Sequence, residues 1–441
     1  MKSHHSTRNR VIAAFAATVL MAGLAACGDT NSDAQASGEL SGTLNIWGYA
    51  NGPEEVIAAF EKANPKVTVK YSKQTDARDA AIQLSNAIAA GKGAPDVILL
   101  EDATVSQFAV QGDLVNLNDF GAQDYADDYS SGPWNKLQMD GNAYGLPVDG
   151  APEVLYYNKT IFDKAGITTP PTTWDEYYED AKKIRALGDE YYITNNAGFQ
   201  PFTAQAWQAG GHPWKVDGEN ITINMTKDEG MQRYIEFTQK LLDENLINAR
   251  INSWSEDWYR SLDDGTIASL TIGAWMGTNL KTSAPNQSGN WRVAALPKWG
   301  DGGEPGAEDG GSAFCITSQS KNQKLAWEFV KYATHEDGAD VMVEEAGLFP
   351  SLKRILSSSD FVSTTDPYFG DQKINEVLVE AANQKVSQFQ YLPYTAYAMS
   401  IYNDIIGPAY TGETTLKAAM DEYGHKLADY GKEQGYTVTV K

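Results

Sequence analysis

Residues 42–109 alternate between short apolar runs and amphipathic segments, and this alternation constrains the fold more than any other feature of the chain. The strand patterns and the helical patterns between them lie at 43–47, 54–63, 67–71, 76–90 and 97–100. Pro53 suits the first turn of the first helix, and Asn64 with Pro65 is typical of its end. Successive strand–helix units predict an α/β sheet with helices on its faces.

A second α/β region follows, and the chain is predicted to end in helices. Thr173 and Glu176 have the spacing of a capping box at the start of a helix. Residues 372–441 are predicted to be wholly helical, and residues 299–311 form a loop rich in glycine and acids. The predicted strands lie at 151–157, 268–272 and 291–296, and the predicted helices at 174–187, 228–244, 256–262, 321–334, 372–386, 394–410 and 414–430.

Composition and charge exclude several classes of protein. The chain has 441 residues, which favours roughly two to three domains. With 58 acidic and 35 basic residues its net charge is −23, so it would repel phosphate backbones and we predict no nucleic-acid partner. Two cysteines exclude a disulfide framework, and the few histidines argue against a metal site. We therefore predict neither a metal nor a cofactor.

The first 41 residues have the pattern of an export signal and a tether. Basic residues precede an apolar stretch at 11–26, and this layout is typical of a secretory signal. Leu24-Ala25-Ala26-Cys27 resembles the bacterial lipobox, and the alternative is an ordinary signal peptide with an accidental cysteine. We predict a lipoprotein signal peptide at 1–26, lipidation of Cys27 and a flexible tether at 27–41. The protein would then lie outside the cytoplasm, with the lipid as its only membrane anchor.

An ordered set of short segments carries a family resemblance. These segments are Leu44 to Gly48, Phe60 to Pro65 with 67–69, Gly93 to Val97, Tyr144 to Pro147, 154–159, 171–176, 312–317 and 326–331. In this order they resemble the extracellular solute-binding proteins of bacterial ABC importers, in the family-1 group that includes maltose-binding protein. The resemblance spans residues 42–440.

The resemblance implies a two-lobed periplasmic-binding-protein (Venus-flytrap) fold of the α/β class, with a ligand cleft between the lobes and a helical C-terminal region. Lobe one is predicted at 42–152 plus 316–357, and lobe two at 153–315 plus 358–441. The implied function is a lipid-anchored, monomeric substrate-binding component that captures an oligosaccharide and delivers it to an ABC permease. No reaction is catalysed in this interpretation.

The candidate ligand-binding residues follow the predicted strands or lie near the crossings between lobes. Open α/β sheets bind ligands at the carboxyl ends of their strands, and sugars need flat aromatic faces and planar polar groups. Trp275 is the best candidate for stacking on a sugar, since residues 273–277 resemble a ligand loop of the family. The full set is Trp47, Gly48, Tyr49, Asn51, Glu101, Asp102, Asp149, Trp207, Trp258, Trp275, Gly311, Ser312, Phe314, Arg354 and Tyr394.

The residues by themselves leave alternatives open for these assignments. Trp and Tyr also serve as core residues, a carboxylate can cap a helix or stabilise a turn, and an arginine can form a surface ion pair. Such roles are the alternatives for Trp47, Trp207, Trp258 and Trp275, for Asp102 and Asp149, and for Arg354. Three tyrosines, Tyr391, Tyr394 and Tyr397, open a late helix that in the family often supplies an aromatic side chain to the cleft. The family commonly holds a tryptophan there, whereas this chain has a tyrosine or Met399.

Two other functions compete with the importer interpretation. One is a secreted carbohydrate-active enzyme such as a glycoside hydrolase, and the other is a binding protein for a non-sugar polar solute. The sequence has no Gly-x-Ser-x-Gly elbow, and His335-Glu336 lacks the second histidine of a zinc motif. Cys315 lies among apolar residues and is predicted to be a buried, inert thiol. We therefore predict that the protein is not an enzyme.

Overall fold

The computed structural model of the chain describes residues 39–50, 52–196, 198–387 and 389–441. Within these ranges the fold is mixed α/β, with about 47% helix and 20% strand. The predicted signal peptide, Cys27 and Asn51 lie outside the described residues. None of the helices in the described ranges has the length and apolar character needed to cross a membrane.

The described residues contain strands β1 to β15 and helices α1 to α17, together with short 3-10 turns. The strands are Gly42–Gly48, Val67–Lys73, Val97–Glu101, Gln138–Met139, Asn142–Ala143, Leu146–Pro147, Glu153–Asn158, Thr194–Asn196, Trp214–Asp217, Asn220–Ile223, Ile247–Asn252, Ser269–Gly273, Trp291–Ala294, Ser312–Ile316 and Thr437–Val440. The helices are Pro53–Ala63, Ala77–Ala89, Asp102–Val110, Ser131–Lys136, Lys159–Lys164, Trp174–Arg185, Phe199–Gln208, Glu229–Asp243, Glu256–Asp263, Met276–Ser283, Gln323–Thr334, Asp337–Ala346, Lys353–Leu356, Ser359–Ser363, Ile374–Ala382, Thr395–Tyr410 and Leu416–Glu433. The 3-10 turns are Leu117–Phe120, Ala122–Asp128, Pro285–Gln287 and Pro367–Phe369.

The first sheet has five strands in the order β2-β1-β3-β14-β6. Strand β1 runs parallel to β2 and β3, whereas β14 returns antiparallel to β3 with Ser312 opposite Glu101. Residues of β3 alternate between two cores, since Leu99 packs with Phe60 and Phe329 and Leu100 packs with Leu84. The sheet is therefore covered on both faces, as the succession of strands and helices predicts.

Local signals fix the ends of several predicted helices. Pro53 occupies the first turn of α1, and the Asp76 side chain accepts a hydrogen bond from the Asp79 amide at 2.7 Å to cap α2. Thr173 caps α6 by accepting from the Glu176 amide at 3.2 Å, which confirms the first half of the predicted capping box. The Glu176 carboxylate accepts from the Thr172 amide instead of reaching Thr173. Residues close in sequence therefore determine where these helices begin.

The second region is built on several smaller sheets. Strand β7 lies between β12 and β13, and its residues alternate between two cores, with Leu155 on one side and Tyr156 on the other. Strand β15 pairs in parallel with β10 at the very end of the chain. The prediction that 372–441 is wholly helical is therefore wrong for Thr437–Val440. These four residues alternate threonine and valine, a pattern that suits a strand but is too short to detect against a helical background.

Three segments run side by side between the first sheet and the second region, and we call 148–153, 307–312 and 347–352 the crossing segments. Their backbones are joined by bonds from the Gly150 amide to the Phe349 carbonyl at 2.9 Å and from the Asp309 amide to the Ala151 carbonyl at 2.9 Å. The lobe boundaries stay a prediction. Because β14 pairs with β3, its residues Ser312–Ile316 belong with the first sheet, although our boundary assigns 312–315 to lobe two.

Candidate functional site

A cleft of about 850 Å³ has walls from both parts of the molecule, and we call it the interlobe cleft. Helix α3, helix α4 and the β4–β5 hairpin provide one wall, with Ser106, Lys136 and Tyr144. Strand β9, its following turn and the segment before α16 provide the other, with Glu219 and Tyr391. Its volume lies in the range typical of ligand sites.

Five carboxylates from three parts of the chain gather beside this cleft, and we call them the cleft floor. Glu101 and Asp102 stand where β3 ends and α3 begins, Asp149 lies in the first crossing segment, and Glu308 and Asp309 lie in the second. Pairing of β3 with β14 brings these ends together, since the Asp102 amide donates to the Gly311 carbonyl at 3.1 Å. The floor is thus a product of strand pairing at the carboxyl end of β3.

Hydrogen bonds hold part of the floor in place. Asp149 accepts from the Ser312 amide at 2.8 Å and from the Ser312 hydroxyl at 2.5 Å, both at the same carboxylate oxygen. Glu308 accepts from the Ala151 amide at 2.9 Å. Gly311 has a φ of +108°, and an added Cβ would lie 2.8 Å from an Asp102 carboxylate oxygen. Glycine is therefore needed at 311 for the backbone to pass close to Asp102.

Lys136 is the one basic side chain in the described ranges whose charge acts on all of Glu101, Asp102, Asp149 and the Glu308–Asp309 pair. Its Nζ lies 2.5 Å from Asp102 Oδ2 and donates to the Gly310 carbonyl at 2.6 Å. The side chains of Lys136 and Asp102 are only 2% and 4% exposed. This is a buried ion pair at the edge of the interlobe cleft.

Burial and mutual repulsion raise the pKa values of the floor. Burial, followed by the charges of Asp102 and Asp309, raises the pKa of Glu101 to about 8. Burial raises the pKa of Asp149 to about 6 and the pKa values of Glu308 and Asp309 to about 7, while Lys136 opposes the shift in each case. The floor therefore exchanges protons near neutral pH.

Two tyrosines, Tyr49 and Tyr391, face the same charges. The pKa of Tyr49 is raised by burial and then by Glu101 and Asp149, and the pKa of Tyr391 is raised by burial and then by Asp102 and Glu101. Tyr391 also lines the interlobe cleft. The floor consequently offers aromatic rings beside polar acceptors.

Trp275 belongs to a group of three tryptophans next to the second crossing segment. Its indole Nε1 donates to the Asp309 carbonyl at 2.7 Å, and its ring centroid lies 5.4 Å from that of Trp254. Trp254 is 49% exposed and packs 5.1 Å from Trp258. Trp275 is half-buried, so it reaches the crossing segment while part of its ring stays accessible.

The remaining predicted residues divide between the site and other places. Six of the predicted residues come together in or beside the floor, namely Glu101, Asp102, Tyr49, Asp149, Gly311 and Ser312. Trp47 is instead half-buried against the core cluster around Leu84, and Gly48 lies close to Tyr71. Four other predicted side chains are almost fully buried, which favours packing roles. These are Trp207 (2% exposed), Trp258 (0%), Phe314 (0%) and Tyr394 (4%). Arg354 pairs with Asp340 at 2.8 Å on the surface, which favours the ion-pair alternative. Ligand contact at each of these residues stays a prediction.

Several residues of the site were missed by sequence reasoning. Glu308 and Asp309 lie in the acid-rich loop that the sequence marks, so their composition was a usable signal. Tyr391 is one of the tyrosines considered at the late helix, although only Tyr394 entered the candidate set. Lys136 gave no signal, since its partners are 34 and 174 positions away along the chain. Within the described ranges, no group of three His, Cys, Asp or Glu side chains has the geometry to hold a metal ion. Cys315 is fully buried, and burial raises the pKa of its thiol.

The fold and the cleft together define a two-domain solute-binding protein. The family profile described as "Bacterial extracellular solute-binding protein" matches residues 49–340. The chain belongs to this family, whose members bind solutes and are not enzymes.

Known relatives and solved structures agree with this membership. The ABC transporter associated binding protein from B. animalis subsp. lactis Bl-04, solved with β-1,6-galactobiose, is 40% identical, with a TM-score of 0.81, covering 91% of this chain and 100% of that one. The galacto-N-biose-/lacto-N-biose I-binding protein of Bifidobacterium longum, solved with lacto-N-biose, is 26% identical, with a TM-score of 0.78 and coverage of 91% and 100%. An arabinooligosaccharide-binding protein of Halalkalibacterium halodurans is 27% identical over 391 residues, covering 83% of this chain and 85% of the relative.

Proposed function

We propose that this protein is the substrate-binding component of an ABC importer and that it captures an oligosaccharide in the interlobe cleft. The observation that carries the proposal is the cleft itself, which is lined by aromatic rings and polar side chains from two parts of the molecule and is linked through Lys136 to the buried carboxylates of the floor. Tyr144, Phe389, Tyr391 and Tyr436 line it, and Lys136 connects it to the floor. A sugar offers apolar C–H faces to the rings and hydroxyl donors to the acceptors.

The comparison with similar proteins narrows the ligand. The relatives named above bind or carry short oligosaccharides according to their descriptions, and the one at 40% identity holds β-1,6-galactobiose. This disaccharide is therefore the first probe to use. Asp102, Asp149 and Glu101 are the acceptors we assign to its hydroxyls, and Tyr391 and Trp275 are the rings we assign to its faces.

Transport would follow from closure of the two lobes around the ligand. A ligand shifts the open–closed equilibrium only by binding more tightly to the closed form, and contacts from both walls of the cleft give that difference. The closed form, a monomer in this proposal, would then dock on the permease. Lipidation of Cys27 would keep it at the outer face of the cell membrane.

A binding screen tests the ligand proposal. The purified protein is titrated calorimetrically with β-1,6-galactobiose, lacto-N-biose and arabinooligosaccharides, with amino acids and short peptides as controls. Saturable one-site binding of a sugar, with a rise in unfolding temperature by mass action, supports the proposal. Binding of a peptide or an amino acid with no response to any sugar refutes it and favours the non-sugar alternative.

The anchor needs a separate experiment. Cells that express the protein are fed an alkyne-tagged fatty acid, and membrane and medium fractions are compared for the wild type and Cys27→Ser. We expect the label and the membrane fraction to be lost together in the variant. Label that persists in Cys27→Ser would show that the lipid is not on this thiol.

A further inference from the structure

Lys136 joins two parts of the molecule that no local sequence signal connects. It is the last residue of α4, in the wall formed by the first lobe, and its ammonium group contacts both the Asp102 carboxylate and the backbone carbonyl of Gly310. Gly310 precedes β14 in the second crossing segment. One side chain thus ties the start of α3 to the segment that leads between the lobes.

The charges around Lys136 are strongly unbalanced. Its ammonium group interacts electrostatically with five carboxylates from the β3–α3 junction and from two crossing segments, namely Asp102, Asp149, Glu308, Glu101 and Asp309. Tyr49, Tyr391 and the buried Glu153, which faces Asp309, are the other titratable groups beside these carboxylates. Burying a carboxylate without a partner is costly, and one ammonium group serves all five here.

We propose that Lys136 is the positioning residue of the cleft floor, which fixes Asp102 and the Gly310 carbonyl in the arrangement that receives the hydroxyl groups of the ligand. Both hydrogen bonds are charge-assisted, so they hold direction as well as distance. The ligand part of this inference rests on the proposed function, whereas the effect on the floor does not.

The pH dependence of stability distinguishes positioning by charge from simple packing. Each floor carboxylate has a folded-state pKa above its ordinary value, so the folded protein holds protons that the unfolded chain has released. Stability is therefore greatest below the ordinary pKa values near 4 and falls as the pH rises through about 6 to 8. Without Lys136 these pKa values rise further, and the free energy of unfolding falls more steeply as the pH rises.

The first experiment needs no ligand. Unfolding midpoints of the full chain are measured between pH 5.5 and 8.5 for the wild type, Lys136→Met and Lys136→Arg, with Lys373→Met as a control from an exposed ion pair with Glu376. We expect the unfolding midpoint of Lys136→Met to fall further below that of the wild type, by several degrees, as the pH rises. Lys136→Arg should recover part of this difference, and Lys373→Met should follow the wild type. A deficit that is constant over this pH range would overturn the proposal, because lost packing has no such pH dependence.

A double-mutant cycle keeps the test usable if Lys136→Met folds poorly. In the background of Asp102→Asn the carboxylate charge is absent, so adding Lys136→Met should lower the midpoint at pH 8.5 by less than half of its effect in the wild type. Equal effects in the two backgrounds would show that Lys136 does not act through Asp102.

The ligand experiment uses β-1,6-galactobiose at pH 8.0 and 5.5. We expect Lys136→Met to weaken its binding about tenfold or more at pH 8.0 and by less at pH 5.5, with partial rescue by Lys136→Arg. Unchanged affinity at both pH values would refute the positioning role. If the wild type does not bind this sugar, the proposed ligand fails while the unfolding experiments still decide what Lys136 does to the floor.

Discussion

Replacing Gln107 by alanine should weaken ligand binding although this residue lies outside the cleft floor. Its side-chain Oε1 accepts a hydrogen bond from the Ala396 amide at 3.2 Å. Gln107 belongs to α3, beside the first sheet, and Ala396 lies in the first turn of α16, which packs in the core of the second region. The N-cap residue of α16, Tyr394, makes no capping bond of its own. Gln107 therefore acts as the cap of a helix in the other lobe.

The expected magnitude follows from helix capping. Loss of a side-chain cap costs about 1 kcal/mol. In the proposed closure, α3 and α16 lie on opposite lobes and separate on opening, so this free energy would stabilise only the closed form. A loss of about 1 kcal/mol lowers the closed-to-open ratio about fivefold, and it raises the Kd by the same factor when binding requires closure and the free protein is mainly open.

Calorimetry with β-1,6-galactobiose and small-angle scattering of the free protein measure the two consequences. Gln83→Ala is the matched control, because Gln83 is exposed on α2 of the same lobe and its side chain donates a hydrogen bond to Asp79 of its own helix. Gln107→Glu keeps the acceptor and adds a negative charge at a helix N-terminus, so it should bind at least as tightly as the wild type. An unchanged Kd and radius of gyration in Gln107→Ala would refute the capping argument.

Three further outcomes can be checked with simple variants and ligands. Trp275→Phe keeps a ring but loses the hydrogen bond to the Asp309 carbonyl, so it should lower the free energy of unfolding in urea by about 1 kcal/mol. It should also weaken sugar binding less than Trp275→Ala does, and equal affinities of the two variants would exclude stacking. Burial and the charge of Asp309 raise the pKa of Glu153 well above its usual value, so the folded wild type keeps a proton that its unfolded chain releases above about pH 4. Glu153→Gln should therefore match the wild type in urea unfolding near pH 4 and exceed it by a growing margin as the pH rises. A gap independent of pH would contradict this. The cleft floor carries five carboxylates against one lysine, so it should repel the negative charge of 6′-sialyllactose, which should bind much more weakly than lactose in calorimetry. Equal affinities would show that the floor does not face the ligand.

Local pattern was enough to predict the longest helices and the strands β1 to β3, β7, β12 and β13. Helix α8 was predicted at 228–244 and runs over Glu229–Asp243, and α11 was predicted at 321–334 and runs over Gln323–Thr334. Such elements are encoded by a repeated apolar face and by caps within a few residues. Strand β15 was missed because four residues that pair with the distant strand β10 carry too little pattern of their own.

Residue type could not decide which aromatic side chains stay in the core. Trp207 and Trp258 were predicted to bind ligand, yet they are 2% and 0% exposed, whereas Trp254 is 49% exposed at a backbone φ of 72°. Trp254 and Trp258 are four positions apart, which would place them on one face of a helix. Because Trp254 precedes α9 instead of belonging to it, the two rings meet from different directions.

The sequence by itself determined the longest helices, the strands β1 to β3 of the first sheet, and the acidic and aromatic character of the chain. These properties depend on neighbours within one or two turns of helix or on composition. Only the tertiary structure decided the cleft floor, where Lys136 meets an acid 34 residues away and a carbonyl 174 residues away. The reason is physical: a buried ion pair is specified by which backbone ends a sheet brings together, and strand order and register are properties of the whole fold.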